Sequence, residues 1–259
     1  MSGTALTLAL GFVALLGLCI GSFLNVVAYR VPAGLSVVSP ASACPQCGVE
    51  IRARHNLPVA GWLVLRGRCY DCQAPISVRY PLVEAATALL FVAVLVPFGD
   101  QPRLWPALLY LVAIGVALAL IDLDVRRLPD AIVLPSYPVL ALLLALAGGP
   151  DALVRAVLGG ALLAAIYLAV YLVSGAMGFG DVKLAGLLGA VLSDVSWGSL
   201  VVGGFLAFVL GAAVGVTLLA NGRAGRRTAI PFGPFMIAAA LLALFGLGHL
   251  GDAYLSLVS

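Results

Sequence analysis

Eight apolar runs separated by short polar, Gly- or Pro-bearing punctuation restrict this chain to one kind of fold. They cover residues 4–28, 81–98, 105–123, 131–147, 152–174, 182–192, 199–220 and 231–250. Hydrocarbon offers no water to satisfy backbone N–H and C=O groups, so runs of this length and polarity cross a bilayer as α-helices. A hydrophobic fraction of 63%, a charged fraction of 10% and a mean hydropathy of +1.16 exclude an ordinary soluble domain. The expected fold is therefore an all-α polytopic membrane protein with about eight transmembrane helices. The run at 182–192 is the weak member: about 11 residues are too few to span unless the helix extends toward Trp197 or is partly re-entrant.

The distribution of positive charge gives the expected orientation. No basic stretch precedes the first run, so it is expected to stay in the membrane as an anchor, with the N-terminus outside and Arg30 in the cytoplasm. Threading eight crossings from that start places all of the 14 Lys and Arg except Arg103 and Arg155 on the inner side. The bias supports both the orientation and the segment count. Three parts follow: transmembrane helix 1 over 1–29, a cytoplasmic module over 30–80 whose prolines break any long helix, and a transmembrane core of about seven helices over 81–259. Small-residue clusters such as Gly159-Gly160-Ala161 and Gly203-Gly204 are read as close helix contacts.

Four of the five cysteines are paired within the polar module, as Cys44-Pro45-Gln46-Cys47 and Cys69-Tyr70-Asp71-Cys72, about 21 residues apart. Two Cys-x-x-Cys pairs in one short module ask for a tetrathiolate metal site, and a reducing cytoplasm disfavours disulfides. Cys44, Cys47, Cys69 and Cys72 are thus expected to hold a structural Zn²⁺ in a zinc-ribbon-like module between helices 1 and 2. With four protein ligands the ion has no open position, so it serves folding and leaves catalysis to other groups.

The carboxylates carry the chemistry. Asp122 ends the third apolar run and Asp181 begins the sixth, so the topology puts both at one depth near the cytoplasmic face. Asp100, Asp151, Asp194 and Asp252 fall in outer connections or the C-terminal tail, where a solvated acid costs little, and Asp130, after Pro129, suits a helix N-cap. Two close carboxyls share one proton because both cannot ionise cheaply. One then takes a proton from water while the other hydrogen-bonds a scissile carbonyl. The helix dipole favours Asp181 as the anionic member. Gly175, Gly178 and Gly180 leave little side chain beside Asp181, so a peptide strand can approach there, with Gly178 and Gly180 as its expected contacts. The inner-face acids Glu50, Asp71, Asp124 and Asp130 are available to a basic ligand. Asp124 is the one for which a substrate contact is expected.

Taken together these residues resemble the bacterial type IV prepilin peptidases, a bifunctional leader peptidase and N-methyltransferase family of aspartyl membrane proteases. The resemblance rests on Gly21-Ser22-Phe23-Leu24-Asn25-Val26-Val27 up to Arg30, the paired cysteines, and Arg79-Tyr80-Pro81-Leu82-Val83-Glu84. It continues through Ile121-Asp122 to Leu128-Pro129-Asp130, Gly178 to Asp181 with Lys183, and Ile230-Pro231-Phe232-Gly233-Pro234. It implies cleavage of the short basic leader of type IV prepilins and pseudopilins after a glycine at the cytoplasmic face, with Asp122 and Asp181 as the catalytic pair. It also implies methylation of the new N-terminal amine from S-adenosylmethionine, an activity associated with the cysteine-bearing loop, by an enzyme of the bacterial inner membrane. The lipid bilayer and prepilins are the expected partners, and no nucleic acid is expected.

Two rival classes make different predictions. A proton- or cation-coupled secondary transporter can use intramembrane carboxylates, yet its sites lie near the midplane between repeats, and this sequence shows no internal repeat. A metal-stabilised membrane scaffold without chemistry predicts that neither aspartate matters.

Overall fold

The computed structural model describes residues 3–175, 177–222, 225 and 230–258. Arg223, Arg226 and Arg227, part of the expected inner-face charge, lie outside the described residues. Among the described residues the ordered elements are helical, with two isolated antiparallel bridges and no named strand. Six helices among the described residues are long and apolar enough to cross a membrane. The chain forms two compact units, residues 1–95 and 96–259.

In the first unit α1 (Gly3–Arg30) packs on α3 (Arg79–Leu95). Gly17 lies against Ala88 and Gly21 against Glu84, so the two helices run antiparallel. A Cβ at Gly17 or Gly21 would stand 2.6 or 2.7 Å from the Cα of its partner. The small-xxx-small spacing is what lets two backbones approach where lipid supplies no hydrophobic drive to pair them. Grouping by contact thus joins α3 to α1, whereas division by polarity at residue 80 separates them.

Between these helices lies the cysteine module, with one short helix, α2 (Ala60–Val64). It is attached to α3 by one buried acid: Glu84 is 7% exposed, and its Oε2 accepts the Val59 N–H at 2.6 Å. Val59 has φ 60 and ψ −51, and the Ala60 N–H returns to Pro58 O at 2.6 Å, which makes a γ-turn that a β-branched residue adopts only under external constraint. Asn25 fixes the same end of the helix pair by donating to Tyr80 O at 3.3 Å.

The second unit holds α4 (Trp105–Val125), α5 (Asp130–Ser174), α6 (Phe179–Val195), α7 (Trp197–Ala220), α8 (Gly233–Leu242) and α9 (Gly248–Val258). Helix α5 is two crossings. At Gly149 the backbone turns to φ 73, ψ −158, with Pro150 next, a conformation open to glycine almost alone. The expected runs 131–147 and 152–174 are its two halves. Contacts of Tyr137 with Gly186, and of Gly159 with Gly189 and Ser193, place α6 against both halves of this hairpin.

That position explains the short run at 182–192. Helix α6 has 17 residues and is buried from Asp181 to Ser193 at most positions. An apolar helix covered by protein on its sides need not match the bilayer thickness. Six long helices, one of them doubled, together with α6 account for the eight runs. The last run is also interrupted: a π-helical turn over Ala243–Leu247, with Gly246 at φ 129, joins α8 to α9.

Candidate active site and metal cluster

Three helix ends meet in the second unit. Helix α4 delivers Asp122 one turn before it stops at Arg126, whose left-handed φ of 53 closes the helix through an N–H bond to Asp122 O. Helix α6 begins at Gly178, which is extended as its N-cap, and carries Asp181 three residues in. Helix α8 begins at Gly233, after Phe232. Both acids are withdrawn from solvent, at 5% exposure for Asp122 and 8% for Asp181. Each lies within electrostatic reach of the other.

The two carboxyls are held in the same way. Gly233 N–H donates to Asp122 Oδ2 at 3.0 Å, and Gly178 N–H donates to Asp181 Oδ2 at 3.0 Å. One backbone donor fixes the orientation of each acid. Leu128, in the connection after α4, is the shared spacer. A Cβ on Gly180 would lie 3.1 Å from Leu128 Cβ, and one on Gly233 would lie 3.3 Å from Leu128 Cδ2 and 2.9 Å from Asp122 Oδ2. Gly233 therefore permits a close approach that any larger residue would push apart.

Around this point the lining is aromatic. Tyr167, fully buried, donates to Gly204 O at 2.9 Å. Its ring neighbours Phe208 at 5.0 Å and Phe232 at 6.4 Å.

Of the residues singled out in sequence, Asp122, Asp181, Gly178 and Gly180 come together. Gly180 has its open face against Leu128, and Gly175 caps the end of α5 at φ 58. Asp124 is exposed on the last turn of α4. Asp130 does not cap α5, because Pro129, extended at φ −68 and ψ 130, takes that place. Its carboxylate instead pairs with Lys183. Asp71 pairs with Arg52 at 3.0 Å. Gly233 and Leu128 were visible only as members of motifs, since no periodicity assigns them a contact 111 residues away, as Gly233 has with Asp122.

In the first unit the four module cysteines converge, with their sulfur atoms all within 4.8 Å of one another and Cys44 Sγ 3.7 Å from Cys72 Sγ. Tetrahedral coordination at a metal–sulfur distance of about 2.3 Å needs sulfurs about 3.8 Å apart, so the set fits a metal ion. Both pairs are built alike. Cys44 N–H bonds Val49 O at 2.9 Å and Cys69 N–H bonds Ala74 O at 2.8 Å, and the residue after each second cysteine, Gly48 or Gln73, has positive φ. Backbone N–H groups of Cys47 and Gln46 lower the Cys44 thiol to about 6, which favours the thiolate a metal requires. Cys72, despite the opposing Ala74 N–H, is held up at about 12 by desolvation and the neighbouring thiols. A bound cation reverses that penalty.

The bacterial Peptidase A24 N-terminal domain matches residues 15–98, and the type IV leader peptidase family matches residues 109–216. Curated relatives of the same character run nearly the full length of the chain. A protein of Pseudomonas putida is 44% identical over 88% of this chain and 88% of its own. One of Aeromonas hydrophila is 40% identical over 90% and 89%. One of Myxococcus xanthus is 45% identical over 84% of this chain, which spans 65% of that relative's length. All three are named prepilin leader peptidase/N-methyltransferase. No solved structure matches the chain.

Proposed function

The chain belongs to the type IV leader peptidase family, and from that premise we propose that it removes the basic leader of type IV prepilins and pseudopilins after a glycine, then methylates the new N-terminal amine. The observation that carries the hydrolytic half is the pair of buried carboxyls, each oriented by one glycine N–H, at the meeting of three helix ends. One of them, Asp122 or Asp181, takes a proton from water as it attacks the scissile carbonyl. The other, protonated, hydrogen-bonds that carbonyl and passes its proton to the departing amine. The pair acts as one titrating unit. Gly178, Gly180 and Asp124 are the proposed substrate contacts.

Zn²⁺ is the metal best suited to four thiolates at these separations, with Cys44, Cys47, Cys69 and Cys72 as its ligands and the module's fold as its role. S-adenosylmethionine is the proposed methyl donor. The proposed setting is a bacterial inner membrane with the N-terminus outside and the aspartates facing the cytoplasm, which the side bias of Lys and Arg in the sequence supports. No observation favours a transporter.

The test is purified protein with a prepilin and S-adenosylmethionine, the product read by mass spectrometry. Asp122→Asn and Asp181→Asn are expected to abolish cleavage, and Cys-to-Ser changes in the module to remove the methyl mass increment while cleavage persists. Cleavage surviving both aspartate substitutions overturns the hydrolytic assignment.

A further inference from the structure

Lys183 sits two residues beyond Asp181, and helix α5 grips it at both ends. Its ammonium bonds both oxygens of Asp130, at 2.7 Å to Oδ1 and 2.9 Å to Oδ2. Its carbonyl accepts the Tyr137 hydroxyl at 2.7 Å. Asp130 and Tyr137 are seven residues apart in α5 and so lie on one face of the helix, two turns from each other. Gly186 leaves the space the Tyr137 hydroxyl fills, since a Cβ there would collide with Tyr137 Oη. The Lys183 ammonium also lies over the Phe179 ring, with Nζ 5.2 Å from its centroid.

We infer that the Asp130–Lys183 ion pair and the Tyr137 hydrogen bond form a positioning clamp that fixes the first turn of α6, and with it the distance between Asp181 and Asp122. The reason lies in the connectivity. Asp122 and Asp181 stand on different helices, and α6 packs chiefly on α5, with little direct contact to α4. The turn bearing Asp181 follows Gly175 and Gly178, which supply no side-chain packing of their own. Its orientation then depends on what ties α6 to α5 on either side of Asp181, the Phe179–Tyr171 ring contact before it and the Lys183 contacts after it. Lys183 is 26% exposed and Asp130 56%, so the pair's contribution to global stability is small. Misplacing one acid of a shared-proton pair by a fraction of an ångström, in contrast, acts on the rate directly. Lys183 and Asp130 are positioning residues here, since neither touches the two carboxyls.

This inference rests on the hydrolytic reading of the pair, and its test separates the two. The purified full-length protein is compared with Asp130→Asn, Lys183→Met, Tyr137→Phe and the charge-exchanged double variant Asp130→Lys/Lys183→Asp. Prepilin cleavage gives kcat and KM, and hydrogen exchange gives the protection of the α6 first turn. Each charge-removing single variant is expected to lower kcat about tenfold with KM changed less than twofold. Exchange over the first turn rises, and the double variant recovers most of both losses. Unchanged exchange in Asp130→Asn and Lys183→Met overturns the clamp, as does a double variant no better than the singles. If the unmodified protein cleaves no prepilin, the functional reading fails by itself, and the exchange data still decide the clamp.

Discussion

At the scale of single residues, the site depends on glycines whose missing side chains are occupied by named atoms. Gly233→Ala places a methyl 2.9 Å from Asp122 Oδ2, so the carboxyl must move and lose the N–H that orients it. Cleavage is expected to fall about 100-fold, as kcat, in prepilin assays. Gly180→Ala meets only Leu128, at 3.1 Å, and is expected to cost about tenfold. The order of the two effects is the checkable point, because a small shift of Leu128 leaves both carboxyls their backbone donors, whereas a shift of the Asp122 carboxyl forfeits its Gly233 N–H. Legibility at this scale was uneven. Asp122 and Asp181 stand out in sequence because a charge beside hydrocarbon is expensive. Leu128 is one leucine among many, and no local property marks it as the spacer between two glycines.

At the scale of elements, two backbone features identify where the sequence works against itself. Gly149 lets α5 fold back, and Gly149→Ala forces a Cβ into φ 73, ψ −158; a loss of about 1–3 kcal/mol is expected, read as a lower unfolding midpoint in detergent. In the first unit, Glu84→Ala leaves the Val59 N–H without its acceptor. The γ-turn then loses its anchor to α3, and hydrogen exchange over residues 55–60 is expected to increase while α1 and α3 stay protected. Adding Val59→Gly relieves the backbone conflict and is expected to restore part of that protection. Hydropathy located the long apolar helices, since burial of apolar surface follows composition, but it ended the last run at 250, short of most of α9. It could not show that 131–147 and 152–174 are one hairpin around α6, because the kink depends on a single dihedral angle.

For the whole molecule, the cluster of four cysteines gives the clearest prediction. A metal-loaded chain should protect the four module thiols from a water-soluble thiol reagent, and a chelator-stripped chain should release all four. Stripping is expected to loosen the module while leaving the helices' circular dichroism nearly intact, because the apolar crossings derive their stability from lipid and from each other. Loss of most helical signal on chelation would contradict a role confined to the module.

The sequence by itself determined the class of fold, the number of apolar segments, the thiol set and the two acids. These follow from transfer free energies and ligand chemistry, which depend on residue type and spacing along the chain. Only the tertiary structure decided that α6 is enclosed by both halves of α5, that one glycine N–H holds each carboxyl, and that Asp130 serves Lys183 and leaves the N-cap to Pro129. Those contacts join residues tens of positions apart, and they exist because close packing allows one arrangement of backbones at each crossing.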